Sequence, residues 1–235
     1  MAFLFLEFQN RLMTNPDHRK SEKTKKRGAS LFPMFLKLER RACLVVGAGT
    51  IAAGKIRSLL ESGAEVRVVA PQANTEVQWW AQAGEIRWNA KPFAASDLEG
   101  MVLVIAATSQ PDLNAFVFQE AQKRNLLCNA VDDPDNCSFY CPAVVRRGDL
   151  QIAISTAGHS PALAQRLRQE LEAQFAPEYA KWIEELGRVR RQLFARDMDP
   201  EERRRLLHKL AAHGPSPVRK ESSGAEPARE MPRAR

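Results

Sequence analysis

Between residues 42 and 131, short apolar runs alternate with longer stretches in which apolar residues recur at helical spacing. Ala42 to Val46 is apolar and ends in glycine, and Ile51 to Leu60 has a helical repeat that stops at Gly63. Val66 to Val69 is β-branched and ends at Pro71. Thr75 to Ala83 reads as a helix, with Trp79 and Trp80 as packing residues, and Ile86 to Trp88 predicts a short strand. Met101 to Ala107, MVLVIAA, is the continuous apolar run of a strand buried on both faces. Leu113 to Lys123 is helical and Leu126 to Val131 is a further strand. Strands alternating with helices predict a parallel sheet with helices on both faces.

The pattern changes after Asp133. Ser138 to Val145 and Leu150 to Ser155 are strand-like and joined by RRGD, which predicts a hairpin. Ser160 before Pro161 is an N-cap followed by the residue favoured at the first helical position, and Leu163, Leu167 and Leu171 form a stripe. A second helix runs from about Pro177 through Trp182, Leu186, Val189 and Leu193. A third begins at Asp199-Pro200, with Glu202 giving a capping-box-like start. The stripes are expected to face each other or a second subunit.

Composition narrows the class. The chain has 235 residues, 44% hydrophobic and 27% charged, as in soluble globular proteins. The net charge of +7 is concentrated in expected tails. Residues 14–30, TNPDHRKSEKTKKRGAS, are basic but carry no interleaved aromatics, so a solvated tail is expected rather than a nucleic-acid site. No apolar stretch approaches the roughly 20 residues of a spanning helix, and MAFLFLEF, with Glu7, is a poor signal peptide. No membrane partner is expected. Cys43 and Cys128 lie within apolar runs, which predicts reduced, buried thiols and a cytoplasmic protein. Cys137 and Cys141 are four apart near His159, but the paired C-x-x-C spacing is missing, so no metal site is expected.

Chemistry enters at Gly47-Ala48-Gly49-Thr50-Ile51-Ala52, a G-x-G-x-x-A turn between a strand and a helix, the dinucleotide fingerprint. Gly47 permits the tight turn, Gly49 lets a pyrophosphate approach the backbone, and Ala52 lets the helix pack closely. The helix N-terminus offers free N–H groups to phosphate. The acid that usually ends the second strand and holds the ribose is replaced by Ala70-Pro71-Gln72. Ribose contact is expected from backbone, Gln72 or Asn74, and composition leaves NAD and NADP open. Thr108, Asn129 and Asp132 end strands on the same edge, where open parallel sheets bind ligands.

Three blocks, LVVGAGTIAAGKIRSLLESGAEVRVVAP, VIAAT and NAVDDPDNCSFYCPAVVRRGDLQIAISTAGHSPALAQRLRQELE, resemble the precorrin-2 dehydrogenase family of sirohaem synthesis over about Phe32 to Leu210. The resemblance implies NAD-dependent oxidation of precorrin-2 to sirohydrochlorin by a homodimer. Some members also insert ferrous iron, and whether this chain does is left open. It implies that Gly47 to Ile51, including Thr50, line the pyrophosphate and that Pro71 and Gln72 lie near the adenosine ribose. The functional aspartate of the family matches Asp132, in the N-x-V-D context. This chain departs from the family's triple glycine and arginine-lysine at Ala48 and Gly54.

The expected architecture is therefore α/β. It comprises a flexible basic extension (1–31), an NAD-binding Rossmann-like parallel sheet (32–137) and a hairpin-and-helix segment for dimerisation and the active site (138–176). A C-terminal helical region (177–213) and a disordered tail (214–235) follow. Asp132 is the candidate proton acceptor, or orients a macrocycle nitrogen, whereas Asp133-Pro134 reads as a turn. Asn129, Ser160, His159, Arg146 and Arg166, with Arg168, are candidates for holding a many-carboxylate substrate, and Arg147 reads as a solvated surface charge. Two other readings stand beside the enzyme: an NAD-sensing regulatory module, and a chelatase without dehydrogenase activity.

Overall fold

A computed structural model describes residues 30–212 and 214–215. The expectations of a flexible extension and a disordered tail fall, apart from residues 30, 31, 214 and 215, outside the described residues. Five parallel strands, β1 (Ala42–Val46), β2 (Glu65–Val69), β3 (Ile86–Asn89), β4 (Leu103–Ala106) and β5 (Leu127–Ala130), form a sheet in the order β3-β2-β1-β4-β5. Helices α1 (Thr50–Glu61), α2 (Thr75–Gln82) and α3 (Pro111–Gln122) connect them. The chain order reverses between β1 and β4, which opens a crevice beyond the carboxyl ends of those strands.

Alternate strand residues feed two cores. Val45, Val68 and Ile105 pack with Ala52, Ala53, Ile56 and Leu59 of α1 and with Val77 and Trp80 of α2. Leu44, Val46, Val104 and Cys128 pack on the other face with Val117 and Ala121 of α3. Helix α2 starts where Asn74 Oδ1 accepts a hydrogen bond from the Val77 N–H at 2.9 Å. One of the two expected packing tryptophans is corrected. Trp80 is buried, but Trp79 is 58% exposed, because neighbouring helix positions are about 100° apart and Val77 and Trp80 define the buried side.

The second half is a two-stranded antiparallel sheet, β6 (Ala143–Arg147) and β7 (Leu150–Ile154), followed by α4 (Pro161–Gln174), α5 (Tyr179–Phe194) and α6 (Pro200–Ala211). The first hairpin strand begins five residues later than Ser138. Residues 137–139 instead fold back on the sheet edge: Cys137 bridges antiparallel to Asn129, and the Ser138 N–H donates to Cys128 O at 2.7 Å. The hairpin tip is Gly148-Asp149. Gly148 has φ +57°, and a Cβ there would meet the Ala180 Cβ of α5 at 3.2 Å.

Arg147 is not a solvated charge. Its Nε donates to Phe175 O at 2.6 Å and its Nη2 to Glu172 O at 2.9 Å, so it satisfies carbonyls left open at the end of α4. The Phe175, Tyr179 and Trp182 rings stack edge to face across the α4–α5 junction. The guanidinium of Arg203 lies 4.5 Å from the Phe194 ring and ties α6 to α5, while Arg190 of α5 lies 4.7 Å from the same ring.

Burial pushes the Cys43 thiol up to about 11 and the Cys128 thiol up to about 12, while Cys141 is exposed. Iodoacetamide at pH 8 should therefore label Cys141 in the folded protein and reach Cys43 and Cys128 only after denaturation, since the thiolate is the nucleophile. Peptide mass mapping checks this; prompt labelling of Cys128 in native protein would contradict the packing of the sheet.

Candidate functional site

The glycine turn lies where β1 meets α1. Gly47 has φ +107°, a backbone region that L side chains rarely adopt. A Cβ there would lie 2.4 Å from Ala107 O, so the glycine is what allows the ends of β1 and β4 to approach. Its N–H donates to Val69 O at 2.9 Å. Ala48, at the family's middle-glycine position, is 5% exposed and fits the turn. Gly49 is different. Its backbone is extended, with φ −84°, and the position of a Cβ is open space.

Gly49 is also the N-cap of α1. No side chain caps this helix, and no acidic residue stands in its first turn. The open cradle, the uncapped N–H groups and the helix dipole fit a pyrophosphate. Thr50 and Ile51 are exposed at the same helix start, and Ile51 is 57% exposed. Pro71 and Gln72 are exposed after β2. Asn74 is already engaged: its side chain caps α2, and its N–H donates to Ala48 O at 2.9 Å. Gln72, exposed beside it, has no such engagement among the described residues.

Thr108 holds its own loop. Its hydroxyl donates to Asn114 Oδ1 at 2.7 Å and accepts from the Gln110 N–H at 3.1 Å. The buried Asn114 returns a bond from Nδ2 to Thr108 O at 3.1 Å. This clamp shapes the loop after β4, so Thr108 contributes to the crevice by position rather than by a free hydroxyl.

Asn129 is buried, with Nδ2 donating to Phe139 O at 2.8 Å and lying 3.2 Å from Cys137 Sγ. It fastens residues 137–139 to the sheet. The chain then turns sharply: Asp132 has φ +62°, and the Asp133 N–H donates back to Ala130 O at 3.2 Å. Asp133 Oδ2 accepts from Asn136 Nδ2 at 2.6 Å and closes the turn. The Asp132 side chain is exposed and lines a cleft of about 450 Å³. One wall of the cleft is the carboxyl end of β5 with Lys55 of α1. The other is Ile154, Ser155, Thr156 and the first turn of α4.

Of the expected substrate contacts, Asp132 and Asn129 line this cleft, His159 and Ser160 stand between its lining residues Gly158 and Pro161, and the arginines are engaged elsewhere. Thr156 and Gly158 line it, whereas Ser160 caps α4 by accepting from the Leu163 N–H at 3.2 Å, and the exposed His159 closes the loop through its N–H to Thr156 O at 2.9 Å. Arg146 lines a separate polar recess, 3.6 Å from Glu61. Arg166 is exposed on α4, 3.2 Å from Glu170. Arg168 is held by Glu172 and Gln165. Lys55, Tyr140 and Gln165 line the cleft although nothing in the sequence singled them out. Thr156 and Gly158 belong to the polar loop before Ser160 that the sequence offers as an anion site at a helix N-terminus. A hollow of about 590 Å³ beside Pro177, Trp182 and Pro215 lies on the C-terminal helices, away from every strand end of the sheet.

Comparison with known proteins agrees with this geometry. Residues 34–143 match a family model described as "Putative NAD(P)-binding", and residues 147–174 match "Sirohaem biosynthesis protein central". Siroheme synthase 1 of Serratia proteamaculans is 43% identical over 177 residues, 75% of this chain and 37% of that protein. Siroheme synthase 1 of Yersinia enterocolitica is 49% identical over 141 residues, 60% of this chain and 30% of that protein. The chain thus spans little more than a third of the curated relatives it matches. Among solved structures, SirC, a precorrin-2 dehydrogenase, superposes with a TM-score of 0.68 at 30% identity, covering 77% of this chain and 89% of that one.

Proposed function

The chain belongs to the precorrin-2 dehydrogenase family of sirohaem synthesis, and on that premise we propose that it oxidises precorrin-2 to sirohydrochlorin with NAD. One observation carries the reading: the open Gly49 cradle and the cleft bearing Asp132 lie at the same carboxyl edge of one parallel sheet. A dinucleotide seated on the cradle would extend toward the strand ends that form one wall of the cleft.

When bound, NAD takes the hydride that leaves the substrate. The protein's share is to hold, orient and move a proton. The N–H groups at the start of α1 bind the pyrophosphate, and Ile51 covers it with an apolar side chain. Asp132, at the cleft surface, accepts the proton released as conjugation extends, or orients a macrocycle nitrogen for that loss. NAD is favoured over NADP because residues 70–75, APQANT, carry no cation to hold a 2′-phosphate.

The partner in the assembly is a second copy. Ile154, Leu167, Leu171 and Ala173 line a trough of about 590 Å³ along β7 and α4, the segment expected to dimerise. Iron, where used, is a substrate: among the described residues no group of three or more His, Cys, Asp or Glu could hold a resident metal. No described helix is long and apolar enough to cross a membrane, and the free thiols fit a reducing cytoplasm.

Purified protein given NAD and precorrin-2 should form NADH in step with the sirohydrochlorin spectrum. The same reaction with ferrous iron reports sirohaem if the chain is also a chelatase. Tight NAD binding without any change in precorrin-2 would sink the dehydrogenase reading and leave a nucleotide-sensing module.

A further inference from the structure

The substrate class proposed above is a polyanion, yet the cleft that would take it is lined by the carboxylates Asp132 and Asp133. Like charges in a partly desolvated recess repel, so a cation must offset them. The arginines of the hairpin and α4 are engaged elsewhere: Arg146 with Glu61, Arg147 with the carbonyls ending α4, Arg166 with Glu170 and Arg168 with Glu172. Among the described residues, Lys55 is the one lysine or arginine that lines the cleft.

Its placement follows from α1. Ala52, Ala53, Ile56 and Leu59 press that helix against the sheet, and Lys55 lies beside this buried stripe on the flank facing the hairpin half. The residue is half-buried, and its charge is felt at the Cys137 thiol on the sheet-edge wall of the same cleft. Among the described residues its ammonium has no carboxylate partner and no side-chain hydrogen bond. A cation kept free in a recess with two acids is arranged for an anionic ligand rather than for the fold. Helix α1 also presents its N-terminus to the pyrophosphate, so a carboxylate held at Lys55 sits about one and a half helical turns along from the cofactor cradle.

We propose that Lys55 is the substrate-carboxylate anchor of this cleft, pairing with a peripheral carboxylate of the macrocycle and fixing which edge of the ring faces the cofactor. The assignment rests on the proposed function for its substrate class. An ammonium suits the task because it is a compact point charge with three rotatable donors and does not demand one carboxylate plane.

The test uses Lys55→Gln, Lys55→Met and Lys55→Arg, each checked for an unchanged melting temperature. The neutral variants should raise KM for precorrin-2 by about ten- to a hundredfold with kcat held within about threefold, as expected when a binding contact shared by ground and transition states is lost. Lys55→Arg should recover most of the affinity, and NAD affinity should stay unchanged in all three. Quenching of uroporphyrin, an octacarboxylate porphyrin, gives a readout that needs no turnover. Wild type should bind it in a salt-sensitive way, and the neutral variants more weakly with a flatter salt dependence. Equal uroporphyrin affinity and equal KM in wild type and Lys55→Gln would overturn the anchor while leaving the dehydrogenase reading intact. A wild type that binds no uroporphyrin and turns over no precorrin-2 would overturn both.

Discussion

Asp132→Asn should bind NAD with unchanged affinity and lower kcat for precorrin-2 oxidation by about 10²–10⁴-fold, the usual contribution of a positioned acid–base group. The choice of asparagine follows from the backbone. Asp132 sits at φ +62°, in the left-handed region that Asn and Asp enter readily, so the substitution preserves both turn and side-chain shape and removes only the carboxylate. The neighbouring acid is no substitute, because Asp133 is held in the turn by Asn136. Loss of kcat with little change in KM would place the role in the transition state rather than in binding, the reverse of the pattern expected at Lys55. Steady-state kinetics with titration of NAD by protein fluorescence separates the two. Full turnover by Asp132→Asn would remove the residue from the mechanism.

Gly47→Ala and Gly49→Ala should fail in opposite ways although the two glycines are two residues apart. At Gly47 the added methyl meets Ala107 O at 2.4 Å and Ala107 C at 2.8 Å, both backbone atoms, and the φ of +107° is strained for any L side chain. The strain and clash together should cost about 3–5 kcal/mol and lower Tm by about 6–20 °C. Gly49 has ordinary dihedral angles and open space around its Cβ position, so the alanine should fold with a Tm close to wild type. Its methyl instead occupies the place a pyrophosphate needs, and NAD affinity should fall about tenfold or more. Calorimetry and NAD titration on both variants decide the matter. Equal destabilisation by the two would mean that the turn is not built as described.

The parallel sheet was legible because its signals are local. Runs such as MVLVIAA mark strands buried on two faces, and the glycine turn between β1 and α1 fixes where the sheet begins. Element ends were harder where one segment competes with another. Ser138 has the look of a hairpin residue, yet its N–H pairs with Cys128 O and draws it back to β5. Trp79 and Trp80 could have been told apart from the sequence alone, since Val77 and Trp80 share a face at i, i+3 and Trp79 does not. Arg147 and Lys55 could not. One finds its partners 25 and 28 residues away, at the carbonyls of Glu172 and Phe175. The other gains its meaning only when the hairpin half comes to face α1. Charge at a position is visible in a sequence; what the charge faces is decided by long-range docking.

The open Gly49 cradle is formed entirely by the sheet half, whereas the cleft bearing Asp132 needs a wall from each half. Local opening of the smaller half, which its modest packing makes cheaper than melting the sheet, would erase the cleft and spare the cradle. A preparation that titrates one-to-one with dinucleotide is therefore no guarantee of competent enzyme. Shelf-life, purification and variant screening need a readout taken on the macrocycle side.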